Sequence, residues 1–226
     1  MTKPKICVSV SARQIDDAEK AIIDVESYGP DLIEIRIDHL ETQGGLERLR
    51  ESTNLPLIAT NRRRDQGGLF VTSEDERIST LLKASKLGFD YVDLELTTPS
   101  LGDIVNQFRR HEARLIISSH DLRRTPSKRT LKQVLRKELG FEPDICKIVG
   151  TARSYQDNLT YLNFLKENHT VSLICFGMSQ HGIISRVLSP LFGGAFTYAS
   201  VEQSLETAPG QLTIKSLKDI YDVLRV

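Results

Sequence analysis

Glu34-Ile35-Arg36-Ile37-Asp38 alternates charge and isoleucine with a strict period of two. In a strand that period puts Glu34, Arg36 and Asp38 on one face and the isoleucines on the other. Asp93-Leu94-Glu95-Leu96 repeats the pattern. Such charges can be buried only in mutual compensation, because an unpaired buried ion costs several kcal/mol. Partners are at hand: Arg36 itself, Arg62 after the third apolar run, Lys147 inside the sixth and Arg186 beyond the seventh. Lys147 stands alone in Asp144-Ile-Cys-Lys147-Ile-Val. Buried there among cations and apolar groups, its amine is expected to lose its proton readily, and a neutral amine attacks carbonyl carbon. His120, in Ser118-Ser119-His120-Asp121, is the residue type suited to proton transfer near neutrality. Carbonyl chemistry with general acid–base help is the chemistry these residues can do.

The elements that must hold them alternate along the whole chain. Strands are expected at 6–10, 32–37, 55–60, 91–96, 114–119, 144–149, 171–176 and 195–200. Helices are expected at 15–27, 44–52, 74–87, 99–111, 127–139, 154–167, 181–189 and 214–224. Asp16, Ser73 and Ser154 read as N-caps, and Ser73 with Glu76 as a capping box. Gly29, Gly88 and Gly140 stand where left-handed helix ends are wanted. Eight strands alternating with eight helices across residues 1–226 predict an α/β fold, a single (β/α)8 TIM barrel forming one catalytic domain. An open doubly wound sheet is the alternative, but the turn after the first strand reads Ser-Val-Ser-Ala-Arg-Gln and lacks a glycine-rich phosphate loop. In a barrel the isoleucines must face the outer helices, which turns the charges inward; exposed edge strands would reverse this.

Thirty Lys and Arg balance thirty Asp and Glu, so the net charge is zero and no basic nucleic-acid surface is expected. No apolar run approaches the roughly 20 residues of a membrane span, and the first residues do not read as a signal peptide. Cys7, Cys146 and Cys175 are widely spaced and form no Cys-x-x-Cys pair. They are expected to be buried, reduced thiols in a cytoplasmic protein rather than disulfides or metal ligands.

Six segments in order resemble the type I 3-dehydroquinate dehydratase family. They are Glu34-x-Arg36-x-Asp38, Thr60-Asn61-Arg62 with Gln66-Gly67-Gly68, Ser118-Ser119-His120-Asp121, Asp144-Ile-Cys-Lys147-Ile, Gly182-Ile-Ile-Ser185-Arg186 and Ala208-Pro209-Gly210-Gln211. The resemblance implies a dehydratase converting 3-dehydroquinate to 3-dehydroshikimate and water, a step of the shikimate pathway of aromatic amino acid biosynthesis. It implies that Lys147 forms an imine with the substrate ketone and that His120 moves the protons. Glu34 would orient His120 and favour its charged form. Arg186 would pair with the substrate carboxylate. Ser9, Arg36, Arg62, Thr207 and Gln211 would hold hydroxyls and carboxylate, with Met178 and Tyr198 as apolar walls. No cofactor or metal is implied, and a homodimer is; the helix near 181–189 is taken here as its contact. The sequence departs from the family at Gln66, where Glu is common, and at Thr207, where Ser is common. The polar stretch from Glu202 to Gln211 is expected to be a lid.

Two other readings fit parts of the sequence. A sugar-phosphate aldolase barrel would use Gly193-Gly194 as a phosphate site. A silent scaffold barrel would use the Arg62-Arg63-Arg64 cluster and the Arg123-Arg124 and Lys128-Arg129 cluster as partner patches.

Overall fold

Strand faces decide this molecule, because most strands bury both of them. A computed structural model describes residues 3–42, 44–111, 113–202 and 207–226. The strands are β1 (Ile6–Val10), β2 (Leu32–Arg36), β3 (Leu57–Thr60), β4 (Tyr91–Glu95), β5 (Arg114–Asp121), β6 (Ile145–Thr151), β7 (Leu173–Met178), β8 (Thr197–Ser200) and β9 (Leu212–Thr213). The helices are α1 (Ile15–Ser27), α2 (Leu46–Glu51), α3 (Glu74–Lys86), α4 (Leu101–Phe108), α5 (Lys128–Leu139), α6 (Asp157–Glu167), α7 (Ile183–Leu188) and α8 (Ile214–Leu224). All strand pairs are parallel in the order β7-β6-β5-β4-β3-β2-β1-β8-β9. A bridge from Leu173 to Gly194, with the Ala195 N–H donating to the Leu173 carbonyl at 2.9 Å, brings β7 to the entry of β8 and closes the (β/α)8 barrel.

The outer faces carry Val8, Ile33, Ile35, Leu57, Ala59, Val92, Leu94, Leu115 and Ile117, packed under the helices. Cys146, Ile148, Leu173 and Cys175 do the same beneath α5 and α6. The barrel interior takes the alternate set, including Cys7, Leu32, Ile58, Ile116, Ile145, Val149, Ile174 and Phe176. By the same parity Ser9, Glu34, Arg36, Thr60, Asp93, Glu95, Ser118, His120 and Lys147 point inward toward the C-terminal end. The isoleucines of β2 therefore face out and its charges in, as a barrel requires. Each outward aliphatic side chain contributes on the order of 2 kcal/mol of burial free energy.

Several local expectations need correction. Asp16 does not cap α1: Gln14 holds that position, and Asp16 lies in the first turn, where its charge favours the helix dipole and meets Arg48 at 2.8 Å. Ser154 does not cap α6, which starts at Asp157; the Asp157 carboxylate instead accepts from the Arg153 and Ser154 amides. Gly140 has φ −62°, and the left-handed residue after α5 is Glu142. Ser73 and Glu76 do form the reciprocal capping box. The expected strand β3 begins at Leu57, because Pro56 has no N–H for a ladder. Strand β9 was not expected: two residues give too little pattern, and only pairing with β8 makes them a strand.

No helix among the described residues is long and apolar enough to cross a membrane. The three cysteines are buried and free.

Candidate active site

Lys147 enters the barrel from the inner face of β6 and is 5% exposed. Its Nζ donates to Asp93 Oδ2 at 2.9 Å and to the Tyr198 hydroxyl at 3.0 Å, and lies 3.6 Å from Glu34 Oε1. The expectation of a cation-rich surround is thus corrected: the charged groups within 4 Å of the amine are two carboxylates.

Glu34 spends its remaining hydrogen-bond capacity on neighbouring strands. Oε2 accepts from Ser9 Oγ at 2.7 Å and Oε1 from Thr60 Oγ1 at 2.9 Å. No hydrogen bond joins Glu34 to His120 among the described residues, so the expected Glu34–His120 pair is not present. The reason lies in register: Ser9 is the β1 partner of Glu34, and Thr60 sits at the end of β3 on its other side.

Asp93 is the hub. It accepts from Arg62 Nη2 at 2.6 Å, from Ser118 Oγ at 2.6 Å and from Lys147. Burial alone would raise its carboxyl, but Arg62 and then Lys147 outweigh burial and hold it far below the ordinary range. Burial likewise works against the Arg62 charge, yet Asp93 and Glu95 keep that guanidinium firmly protonated. Arg62 Nη1 reaches Glu95 at 3.0 Å, and the other oxygen of Glu95 meets Arg77 at 2.7 Å. Arg77 is completely buried and also binds Glu74, Thr98 Oγ1 and the Asn61 carbonyl. Sequence reasoning missed Arg77, because an arginine inside a polar helix such as α3 carries no signal of pointing inward.

His120 lies at the end of β5. Burial lowers its pKa well below the ordinary histidine value, and Arg62 and Lys147 add to the effect. The ring is therefore neutral near pH 7, with Nδ1 buried and lacking a hydrogen-bond partner among the described residues. A neutral imidazole is a base, not the charged partner that Glu34 was expected to create. The backbone N–H of His120 donates instead to Gln66 Oε1 at 2.9 Å.

Lys147, His120, Glu34, Arg62 and the remaining expected site residues line one cavity of about 130 Å³, small for a drug-sized ligand and suited to a compact one, whereas Asp93, Glu95 and Arg77 are not on its wall. Its walls include Ser9, Arg36, Met178, Arg186, Tyr198, Thr207 and Gln211. Arg36 is gripped bidentately by Asp38 at 2.9 and 2.8 Å. Asp38 itself sits in a short 3-10 turn, Ile37–His39, after β2 and does not line the cavity. It was expected to share the charged strand face, but the strand stops at Arg36, so Asp38 serves as an anchor for Arg36 and the Leu69 amide. The Arg186 guanidinium lies over the Phe176 ring, 4.5 Å from its centroid. Tyr198 is more than an apolar wall, since its hydroxyl meets Lys147. Phe176 was missed as a wall, although its parity with Met178 along β7 could have found it.

Of the expected lid, residues 203–206 lie outside the described residues. The described end is a turn in which Gln211 Oε1 accepts from Thr207 N and Oγ1, at 2.8 and 3.0 Å. Pro209 anchors it, its carbonyl accepting from the Ser179 amide at 2.9 Å. Thr207 and Gln211 thus bind each other at the cavity mouth.

This arrangement matches known proteins along the full barrel. A family model, Type I 3-dehydroquinase, matches residues 6–226. The chain is 36% identical over 224 residues to a 3-dehydroquinate dehydratase of Dehalococcoides mccartyi, covering 98% of this chain and 96% of that one. It is 36% identical over 231 residues to the 3-dehydroquinate dehydratase of Methanococcoides burtonii, covering 98% and 95% of the two chains. Among solved structures it superposes on 3-dehydroquinate dehydratase from Geobacillus kaustophilus with a TM-score of 0.91 at 28% identity, over 99% of this chain and 92% of that one. The type I enzyme from Clostridium difficile with covalent modified comenic acid gives 0.87 at 28%, over 98% and 92%. With the inward charges, the buried lysine and this end-to-end match in hand, the chain belongs to the type I 3-dehydroquinase family.

Proposed function

We propose that this protein converts 3-dehydroquinate to 3-dehydroshikimate and water through an imine on Lys147. The observation that carries the reading is a buried lysine amine facing the cavity that His120 also lines. The Clostridium difficile relative's structure with covalent modified comenic acid supports covalent chemistry in this fold.

Lys147 must first release a proton to become a nucleophile. Asp93 is a poor acceptor, because Arg62 holds it ionised, and Glu34 at 3.6 Å is the other carboxylate in place. The amine adds to the C3 ketone; the proton passed to Glu34 then goes to the carbinolamine hydroxyl, which leaves as water and leaves a protonated imine. That cation is an electron sink for the C2–H bond electrons. Neutral His120 takes the C2 proton, giving an enamine. The imidazolium so formed protonates the C1 hydroxyl, which leaves as water, and hydrolysis of the conjugated imine returns the lysine. Arg186 offers the planar fork that suits a carboxylate. Ser9, Arg36, Arg62, Thr207 and Gln211 surround the ring hydroxyls, and Met178 and Tyr198 pack its carbon face.

Residues 1–226 act as one catalytic domain. Buried thiols without disulfides fit a cytoplasmic setting. The chain works as a homodimer, with exposed Tyr155, Leu159 and Ile184 around α6 and α7 as the surface a second copy covers; sedimentation of the wild type and of Leu159→Lys tests this.

The deciding experiment is borohydride reduction in the presence of 3-dehydroquinate, followed by peptide mass mapping. Inactivation with an adduct on Lys147 is expected, and Lys147→Ala should be inactive yet folded. An adduct on another lysine, or none in an active enzyme, overturns the reading.

A further inference from the structure

Tyr198 lies on the inner face of β8, 4% exposed, with its ring edge-on to Phe196 and Phe176 at centroid distances of 5.4 and 6.3 Å. Its aromatic neighbours fix the ring, and the ring in turn fixes the hydroxyl. That hydroxyl accepts from Lys147 Nζ at 3.0 Å, while Nζ also stands 4.4 Å from the ring centroid. Among the described residues the Tyr198 O–H donates to no acceptor, which leaves it able to donate to a molecule in the cavity that Tyr198 lines. An apolar wall needs no hydroxyl, and a phenol is normally buried only where its O–H finds a partner. Here the partner is the nucleophile.

We propose that Tyr198 is a catalytic residue that carries one proton from the lysine nitrogen to the substrate oxygen during imine formation. The proposal rests on the Lys147 imine reading above. Attack by the amine forms the N–C bond and breaks the carbonyl π bond, leaving a positive nitrogen and a negative oxygen on one carbon. The nitrogen gives a proton to the Tyr198 oxygen as the Tyr198 O–H gives its proton to the alkoxide. The products are a neutral carbinolamine and an unchanged tyrosine, so no charge is left on the phenol. This matters because burial, then Glu34 and Cys7, strongly oppose ionisation of Tyr198. A hydroxyl that cannot ionise can still pass a proton through, provided it accepts on one side while donating on the other.

Tyr198→Phe removes only the hydroxyl and keeps the ring packing. Rapid mixing with 3-dehydroquinate, quenching with borohydride and weighing the intact protein reads imine formation directly. The same measurement started from 3-dehydroshikimate reads the imine of the product. Loss of a proton carrier should slow both by a similar factor, about a hundred-fold, and leave the fraction trapped at equilibrium unchanged, since a catalyst alters rates alone. Adduct formation at the wild-type rate overturns the proposal. A slowed rate with an altered equilibrium fraction also overturns it, because Tyr198 would then merely position Lys147. If wild-type protein gives no Lys147 adduct, the imine reading itself fails, and the two failures are distinct.

Discussion

The side-chain carbonyl of Gln66 accepts a hydrogen bond from the backbone N–H of His120 at 2.9 Å, tying the 3-10 turn Arg64–Gln66 to the end of β5. A neutral amide holds the His120 backbone here without adding charge beside the imidazole.

Gln66→Glu should keep the acceptor and add a negative charge near His120. That charge opposes Arg62 and Lys147, so the histidine pKa rises toward its ordinary value. The acid limb of the kcat/KM profile, expected below pH 6.5 in the wild type because His120 is depressed, should move to higher pH. At its plateau the variant should stay within about ten-fold of wild type, about 1.4 kcal/mol. A variant as inactive as Lys147→Ala would mean that Gln66 takes part in the chemistry.

Gly210 has φ +78°, and a Cβ there would collide with the Ser179 carbonyl. Gly210→Ala should therefore lift the Thr207–Gln211 turn from the end of β7 without disturbing the barrel. KM should rise several-fold with little change in melting temperature, and Gln211→Ala should raise KM too. Steady-state kinetics beside thermal melts decide it; an unchanged KM in both variants would remove this turn from substrate binding.

Arg77→Met should leave one oxygen of Glu95 buried without its cation. Breaking such a pair costs about 3–5 kcal/mol, read as a lower denaturation midpoint in urea. Arg77→Met combined with Glu95→Gln should recover part of the loss, because the orphaned charge is gone. A double variant no better than the single one would show that Arg77 matters through its bonds to Thr98 and Asn61 instead.

Glu138 on α5 is fully buried beside the Cys146 thiol. Burial, against smaller opposing contributions from the Cys146 thiol and the Lys147 backbone, pushes its pKa up to about 9 from the ordinary 4.5. The raised value means that the folded chain holds a proton that the unfolded chain releases. Its stabilising contribution is complete below about pH 4.5 and is lost as pH rises toward 9. Glu138→Met should remove that slope. Between pH 5 and 8 the stability difference between variant and wild type should grow by a few kcal/mol in favour of the variant. Parallel urea titrations at the two pH values measure it, and a constant difference would contradict the buried neutral acid.

Much of the site was legible in the chain because strand parity is local. Glu34 and Arg36 had to share a face, as did Asp93 with Glu95, and outer helices could accept only isoleucine and leucine. Within β6 the same parity turns Lys147 inward and Cys146 and Ile148 outward. Partner identity was not legible, since it depends on the register between strands and on how far loops reach. Thus Glu34 meets Ser9, Thr60 and Lys147 rather than His120, and Gln66 finds the His120 amide 54 positions away.

By itself the sequence determined the alternation of strands and helices and which side chains each strand turns inward, because a period of two is written in consecutive residues. Tertiary structure alone decided that Asp38 leaves the strand to anchor Arg36, that Arg77 is drawn in to neutralise Glu95, and that the Tyr198 hydroxyl touches Lys147. Those contacts arise where separate elements converge in the closed barrel, and burial there forces each charge to find whichever partner the register supplies.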